Sequence, residues 1–198
     1  MAIRKTLKIG DPQLKATNEL IKDFQSPILI KLVVDLEATM HKKGLIGIAA
    51  PQIGKNYQVF VTEPRNTLSR NFGKGDKLRV YINPRLIYSS EEQVEIYEGC
   101  GSVPGIFGPI SRPKVITIEA YNLKGEMFQL KADGILARVI QHEIDHLNSL
   151  EFIQKTKDIS TLIHKEYYLK NIRNSKQQIE RSQISIKEYK NIEKEVVS

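Results

Sequence analysis

Residues 141–147 read Gln141-His142-Glu143-Ile144-Asp145-His146-Leu147, which sets two imidazoles four positions apart with a carboxylate beside the first. On an α-helix the two rings project one above the other from the same side, where they can share one metal ion. Glu143 then reaches a water on that metal without being a ligand, the arrangement that makes H-E-x-x-H a metallohydrolase signature. The plainer alternative is a helix whose histidines make ordinary hydrogen bonds. A third ligand decides the class of enzyme. A metzincin would place another His six residues after His146 with a Gly between, but Ser149 and Phe152 stand there, which excludes that class. Two candidates remain: Glu166, twenty residues past His146, where a zincin could have its carboxylate, and Cys100, the only cysteine, in Glu98-Gly99-Cys100-Gly101-Ser102. A thiolate with two imidazoles suits zinc, iron or cobalt.

These residues need elements to hold them. Leu136, Val139, Ile140, Ile144 and Leu147 recur at helical spacing around the histidines, with Asp133 placed to cap the helix and Gly134 to begin it. Ser26-Pro27 starts an earlier helix, with Ile28, Leu32, Leu36 and Met40 as its apolar stripe and Gly44 as its end. Residues 45–54 form a small-residue run in which Gln52 is the one uncharged polar side chain; such runs let a backbone or a ligand approach closely. Short β-rich runs follow at 58–62, 78–82, 94–97, 115–121 and 127–130, and Asn122-Leu123-Lys124-Gly125 is a hairpin turn. Residues 65–77, with few apolar side chains, read as a surface loop, and a helical pattern through Leu162, Ile163, Tyr167 and Leu169 opens a polar C-terminal segment.

With 198 residues, 40% of them hydrophobic, and no Pro/Gly/Ser-rich linker, the chain can bury one good core. One cysteine excludes an internal disulfide, which fits a reducing cytoplasm, and no apolar run is long enough for a membrane span or a secretory signal. The net charge of +7 would favour acidic partners such as RNA or a ribosome, although no nucleic-acid-binding motif accompanies it and a DNA partner is not expected.

Gly47-Ile48-Ala49-Ala50-Pro51-Gln52, Glu98-Gly99-Cys100-Gly101-Ser102 and Gln141-His142-Glu143-Ile144-Asp145-His146 resemble, in order, the three motifs of the peptide deformylases, and the opening Ile3-Arg4-Lys5 to Ile9-Gly10-Asp11-Pro12 resembles that family's start. The resemblance implies an α+β fold with antiparallel sheets around the central H-E-x-x-H helix. A catalytic domain would span residues 1–160, with residues 161–198 as a helical, basic extension of it. It also implies Cys100, His142 and His146 as ligands of one divalent metal, Fe(II) in the cell and replaceable by nickel, cobalt or zinc. Glu143 would be the proton carrier, with the Gln52 amide and the Gly101 N–H as donors to the reacting oxygen. Ile46, Gly47, Ile48, Ile96, Gly99, Ile135 and Val139 would lie along the substrate, and Glu98 with Arg112 would brace the cysteine loop. The implied reaction is hydrolysis of the N-formyl group from formyl-methionyl nascent chains, releasing formate. A ribosome contact through the basic C-terminal segment is a further expectation. Against the deformylase reading stand a deformylase-like metal protein with little activity, and a zincin using Glu166. Three positions depart from the family pattern: Leu45 for a usual glycine, Gly101 for a common leucine and Ser149 for a glycine. A fourth, Phe107, stands where family members commonly carry an arginine, so the expectation is a ring beside the cleft that packs on the peptide.

Overall fold

Eleven of the fourteen residues of the histidine helix are buried, and their distribution decides the architecture. In the computed structural model, which describes residues 2–71 and 75–192, this helix is α2 (Gly134–Leu147). Leu136, Ala137, Ile140 and Leu147 pack against Phe60, Tyr81, Ile118 and Leu130, whereas Ile135 and Val139 pack against Ile96, Ile46 and Val94. A helix apolar on two sides is buried between two layers. Here both layers are antiparallel sheets, so the expected α+β fold is present.

The larger sheet has six strands in the order β1 (Gly47–Ala49), β2 (Val59–Thr62), β3 (Arg79–Ser89), β6 (Ile116–Tyr121), β7 (Met127–Asp133) and β9 (Ile184–Ile192). The smaller has three: β4 (Gln93–Cys100), β5 (Val103–Pro113) and β8 (Ile163–His164). Phe60 and Tyr81 stack at 4.4 Å between neighbouring strands of the large sheet, against the helix. The β6–β7 turn is the one expected, with Gly125 at φ 77° and its N–H donating to the Asn122 carbonyl.

The first helix, α1 (Pro27–Lys43), begins and ends as the sequence implied: Ser26 accepts from the Ile28 N–H and Gly44 closes it at φ 64°. Its buried face is different by one position. Leu29, Leu32, Val33, Leu36 and Met40 enter the core with Ile48, Val59 and Val61, whereas Ile28 is 66% exposed. Position 28 lies in the first turn, and the i, i+3, i+4 stripe that includes Leu32, Val33, Leu36 and Met40 runs back to 29.

After residue 160 the chain is not one long helix. A helical turn, α3 (Lys165–Tyr167), widens through Tyr168–Ile172, and the expected C-terminal helix follows as the short α4 (Lys176–Arg181). The chain then returns as β9, paired with β7 from Met127↔Ile192 to Asp133↔Ser185, and Tyr189 stacks on Phe128 at 5.4 Å. Gln178 donates to the Tyr97 carbonyl and accepts from its N–H, so the segment is tied to the small sheet as well. Residues 193–198 of the expected extension, and 72–74 of the expected loop, lie outside the described residues. No helix of the described residues is long and apolar enough to cross a membrane.

Truncation after Ser182 should therefore cost about 2–3 kcal/mol, a fall in Tm of roughly 5–10 °C, and increase light scattering as β7 becomes an edge. An unchanged Tm in a thermal scan would refute the contribution of β9.

Candidate metal centre

The hairpin joining β4 to β5 carries Cys100, and the register slips between Gly99 and Cys100, which turns the thiol out of the sheet toward α2. His142 and His146 meet it from the helix. The ligand atoms of Cys100, His142 and His146 lie within 4.8 Å of one another, the one such group of His, Cys, Asp or Glu among the described residues. Cys100 Sγ is 3.1 Å from His146 Nε2 and accepts from the Ser102 N–H at 3.3 Å. Glu166 is elsewhere, its side chain 90% exposed beside His164, which removes the zincin ligand set.

The electrostatics are those of a cation site. Burial pushes the Cys100 thiol up, but His146 and His142 outweigh it and hold the thiol well below its ordinary value. Burial likewise opposes a charge on His142, yet the Cys100 sulfur and the Glu98 carboxylate raise it well above the usual imidazole value. A thiolate and two imidazoles this close favour positive charge between them, which one divalent ion provides.

Glu98 fixes the histidine. It is 3% exposed and accepts from Arg112 at 2.7 and 2.9 Å, from Arg138 at 2.9 Å and from His142 Nδ1 at 2.9 Å. Burial alone would raise its pKa, but the two guanidiniums keep it well below the carboxylate range. Its bond to Nδ1 leaves His142 Nε2 to face the thiolate. Arg112 also reaches Asp145 at 2.7 Å, one residue from His146. Arg138 was missed in the sequence reading, although an arginine between Ala137 and Val139 on a buried helix is itself a signal of a buried carboxylate nearby.

Glu143 stands apart from this network. It is 3% exposed, its Oε2 has no hydrogen-bond partner, and burial pushes its carboxyl up to about 7. Gly47 makes room for it: a Cβ there would lie 2.6 Å from Glu143 Oε1 and 2.5 Å from Val139 Cγ1. Gln52 is aimed by its own carbonyl, which accepts from the Ala49 N–H at 2.9 Å, so its amide N–H points at Cys100 Sγ, 3.5 Å away, and at Ser102 Oγ.

A cleft of about 370 Å³ opens over these groups, lined by Ile46, Gly47, Gln52, Glu98 to Gly101, Phe107, Ile135, Val139, His142 and Glu143. Two expected wall residues are not in it. Ile48 is fully buried under α1, and Ile96 packs behind Ile135 and Val139. Both lie in strands, whose side chains alternate, so Ile46 and Ile48 share a face only if the strand begins before 46; β1 begins at 47. Lys8, Lys43, Arg70 and Lys165 line the cleft without having been anticipated. Lys8 donates to the Gly101 carbonyl at 2.8 Å, and its pKa is lowered by partial burial and by repulsion from Lys43.

Phe107 lines the cleft, as expected, and its ring is held there by neighbours the sequence did not disclose. It is 7% exposed and stacks on Tyr168 at 4.0 Å with planes 6° apart, while the Arg70 guanidinium sits 5.7 Å from its ring centre. Its other side backs onto Gly99, where a Cβ would meet the ring at 2.7 Å. The ring is thus fixed where it meets the cleft, and an arginine at 107 would forfeit the stack on Tyr168.

Leu45 and Gly101, two of the departures noted above, face each other: a Cβ at 101 would lie 3.0 Å from Leu45 Cδ1. Gly101→Leu should cost about 1–3 kcal/mol by overpacking, and adding Leu45→Gly should recover most of it. Additive losses in a urea-unfolding double-mutant cycle would break this link.

The family model described as polypeptide deformylase matches residues 3–161. A peptide deformylase of Carboxydothermus hydrogenoformans is 40% identical over 159 residues, covering 80% of this chain and 97% of that one. One from Acinetobacter baumannii is 34% identical over 187 residues, 94% and 99% of the two chains. Among solved structures, a Met-Ala-Ser-bound class I type b peptide deformylase from Acinetobacter baumannii superposes with a TM-score of 0.73 at 29% identity, over 78% of this chain and 98% of that one. The Thermotoga maritima peptide deformylase gives 0.71 at 30%, over 80% and 100%. With a family match over most of its length and relatives above 30% identity at near full coverage, this chain belongs to the peptide deformylase family.

Proposed function

We propose that the cleft receives the N-formyl-methionyl end of a newly made polypeptide and hydrolyses its formamide, leaving formate and a free amino terminus. The observation that carries this reading is Glu143, a buried carboxylate with one oxygen unpartnered, set beside the Cys100–His142–His146 group at the base of the cleft. A purely structural carboxylate would be paired, as Glu98 is. A metal-binding module without turnover has no use for Glu143 in that state.

When bound by Cys100, His142 and His146, a divalent ion supplies Lewis-acid activation of water, and this donor set suits Fe(II), with nickel, cobalt or zinc as substitutes. Glu143 takes the proton of the attacking water on its free oxygen and passes it to the leaving amine, so the same carboxylate serves as base and then as acid. As the formyl carbon becomes tetrahedral, its oxygen gains negative charge. The Gln52 amide, already aimed by Ala49, and the Gly101 N–H are the donors we assign to it, each contributing about 2.7–4 kcal/mol in sites of this kind. Ile46, Ile135 and Val139 give the methionine side chain an apolar wall, with Ile96 supporting it from behind. Arg112 and Arg138 act on His142 through Glu98, which also lines the cleft. The setting we assign is the cytoplasm, where ribosomes present such chains.

Cys100→Ala and His146→Ala should abolish stoichiometric metal binding in elemental analysis of anaerobically purified protein. Glu143→Gln should retain the metal while formate release from formyl-Met-Ala falls by about 10²-fold or more. Full metal content in Cys100→Ala, or a near-normal rate in Glu143→Gln, would overturn the respective role.

We also assign a ribosome contact to the C-terminal segment, supported by its exposed Lys170 and Lys176. Cosedimentation with ribosomes should weaken with salt and weaken further in a Lys170→Gln, Lys176→Gln variant. Identical binding by the variant would discard this contact.

A further inference from the structure

Apart from Glu143, the charges at the base of the cleft are matched, and the cations that line its more exposed part are not. On the floor Glu98 and Asp145 answer Arg112 and Arg138. Lys8, Lys43, Arg70 and Lys165, drawn from four separate parts of the chain, also line it, Lys8 and Lys43 exposed and Arg70 and Lys165 partly so, which sets them on its solvent side. Lys8 comes from the N-terminal segment and is anchored to Gly101 and Thr6. Lys43 ends α1, Arg70 belongs to the loop before β3, and Lys165 follows β8, whose pairing of His164 with Ile106 sets it along β5. Among the described residues Arg70 donates to the Ser69 and Tyr97 carbonyls and the Tyr168 hydroxyl. The partners of Lys8 and Arg70 are all uncharged, and none of the four cations is ion-paired among the described residues.

The head of the proposed substrate offers these cations nothing. A formamide carries no charge, and neither does a methionine side chain. Only the residues after methionine pass the mouth of the cleft, so only they can respond to its field. Cations that ring a low-dielectric opening act together, because field lines concentrate there instead of spreading through water. We propose that this cationic mouth is a specificity element: it favours formyl-methionyl chains with an acidic side chain among the first residues after methionine and disfavours those with lysine or arginine there. The inference rests on the deformylase reading and deepens it.

The test compares three blocked peptides, formyl-Met-Ala-Glu-Ser-amide and its Gln and Lys counterparts, whose C-terminal amide removes the competing carboxylate. With metal-loaded protein at ~0.02 M salt, kcat/KM should be about threefold or more higher for the Glu than for the Gln peptide, and lower again for Lys, mainly through KM. Raising the salt to ~0.5 M should close the gaps, since exposed charges are then screened within a few ångströms. The Lys43→Gln, Lys165→Gln variant should shrink the Glu-to-Gln ratio at low salt. Equal kcat/KM for the three peptides at low salt would overturn the proposal, as would ratios indifferent to salt and to the double substitution. Absence of formate from all three, the Gln peptide included, would instead overturn the deformylase reading, and this inference with it.

Discussion

A carboxylate taken out of water must be paid back in paired charge, and Glu98 is where this molecule meets that demand. Its oxygens accept from Arg112 on β5, Arg138 on α2 and His142 on α2, while Arg112 goes on to Asp145 and Asp145 to Lys155. The chain of bonds ties β4, β5 and α2 together at the level of the proposed ligands. Removing one member leaves a buried charge uncompensated, at a typical cost of 3–5 kcal/mol. The same bonds set the His142 ring, so the stability of the layer contact and the geometry of the site rest on one network.

Much of this was legible in the sequence because the chemistry constrains residue types tightly. Two histidines one helical turn apart, a glutamate between them and a cysteine in a glycine-flanked turn left few arrangements, and the structure gathers Cys100, His142 and His146 together. The caps of α1 were legible for the same reason, since Ser26, Pro27 and Gly44 each answer a local backbone requirement. What escaped depends on distant partners. β5 contains Pro104, Gly105, Gly108 and Pro109, a composition that hides a strand, yet it pairs with β4 along its length. β9 is polar and edge-lying, and only the exposed ladder of β7 makes it a strand. Ile28 and Leu29 are equally apolar, and a one-position rotation of α1 decides between them.

Arg70 and Phe107 illustrate a second limit. A single position can be read for what its side chain lacks, but not for what another segment brings to the same place. Phe107 surrenders a cation in the sequence, and the loop before β3 sets one over its ring, with Tyr168 from the C-terminal segment as the third layer. Three stretches far apart in the chain thus meet in one stack beside the cleft, and none of them discloses this alone.

The pairing of β7 with β9 also has a consequence in time. Leu130 lies opposite Tyr189, about 60 residues later in the chain. At ~5–20 residues per second, a ribosome making this protein needs roughly 3–12 s to deliver the second strand after the first. During that interval the earlier strands of the large sheet are already available and α2 is being made, while one side of β7 keeps its N–H and C=O groups open to any passing strand. Slow synthesis through residues 134–183 lengthens this exposure, and codon usage over that stretch becomes a determinant of how much chain reaches the folded state.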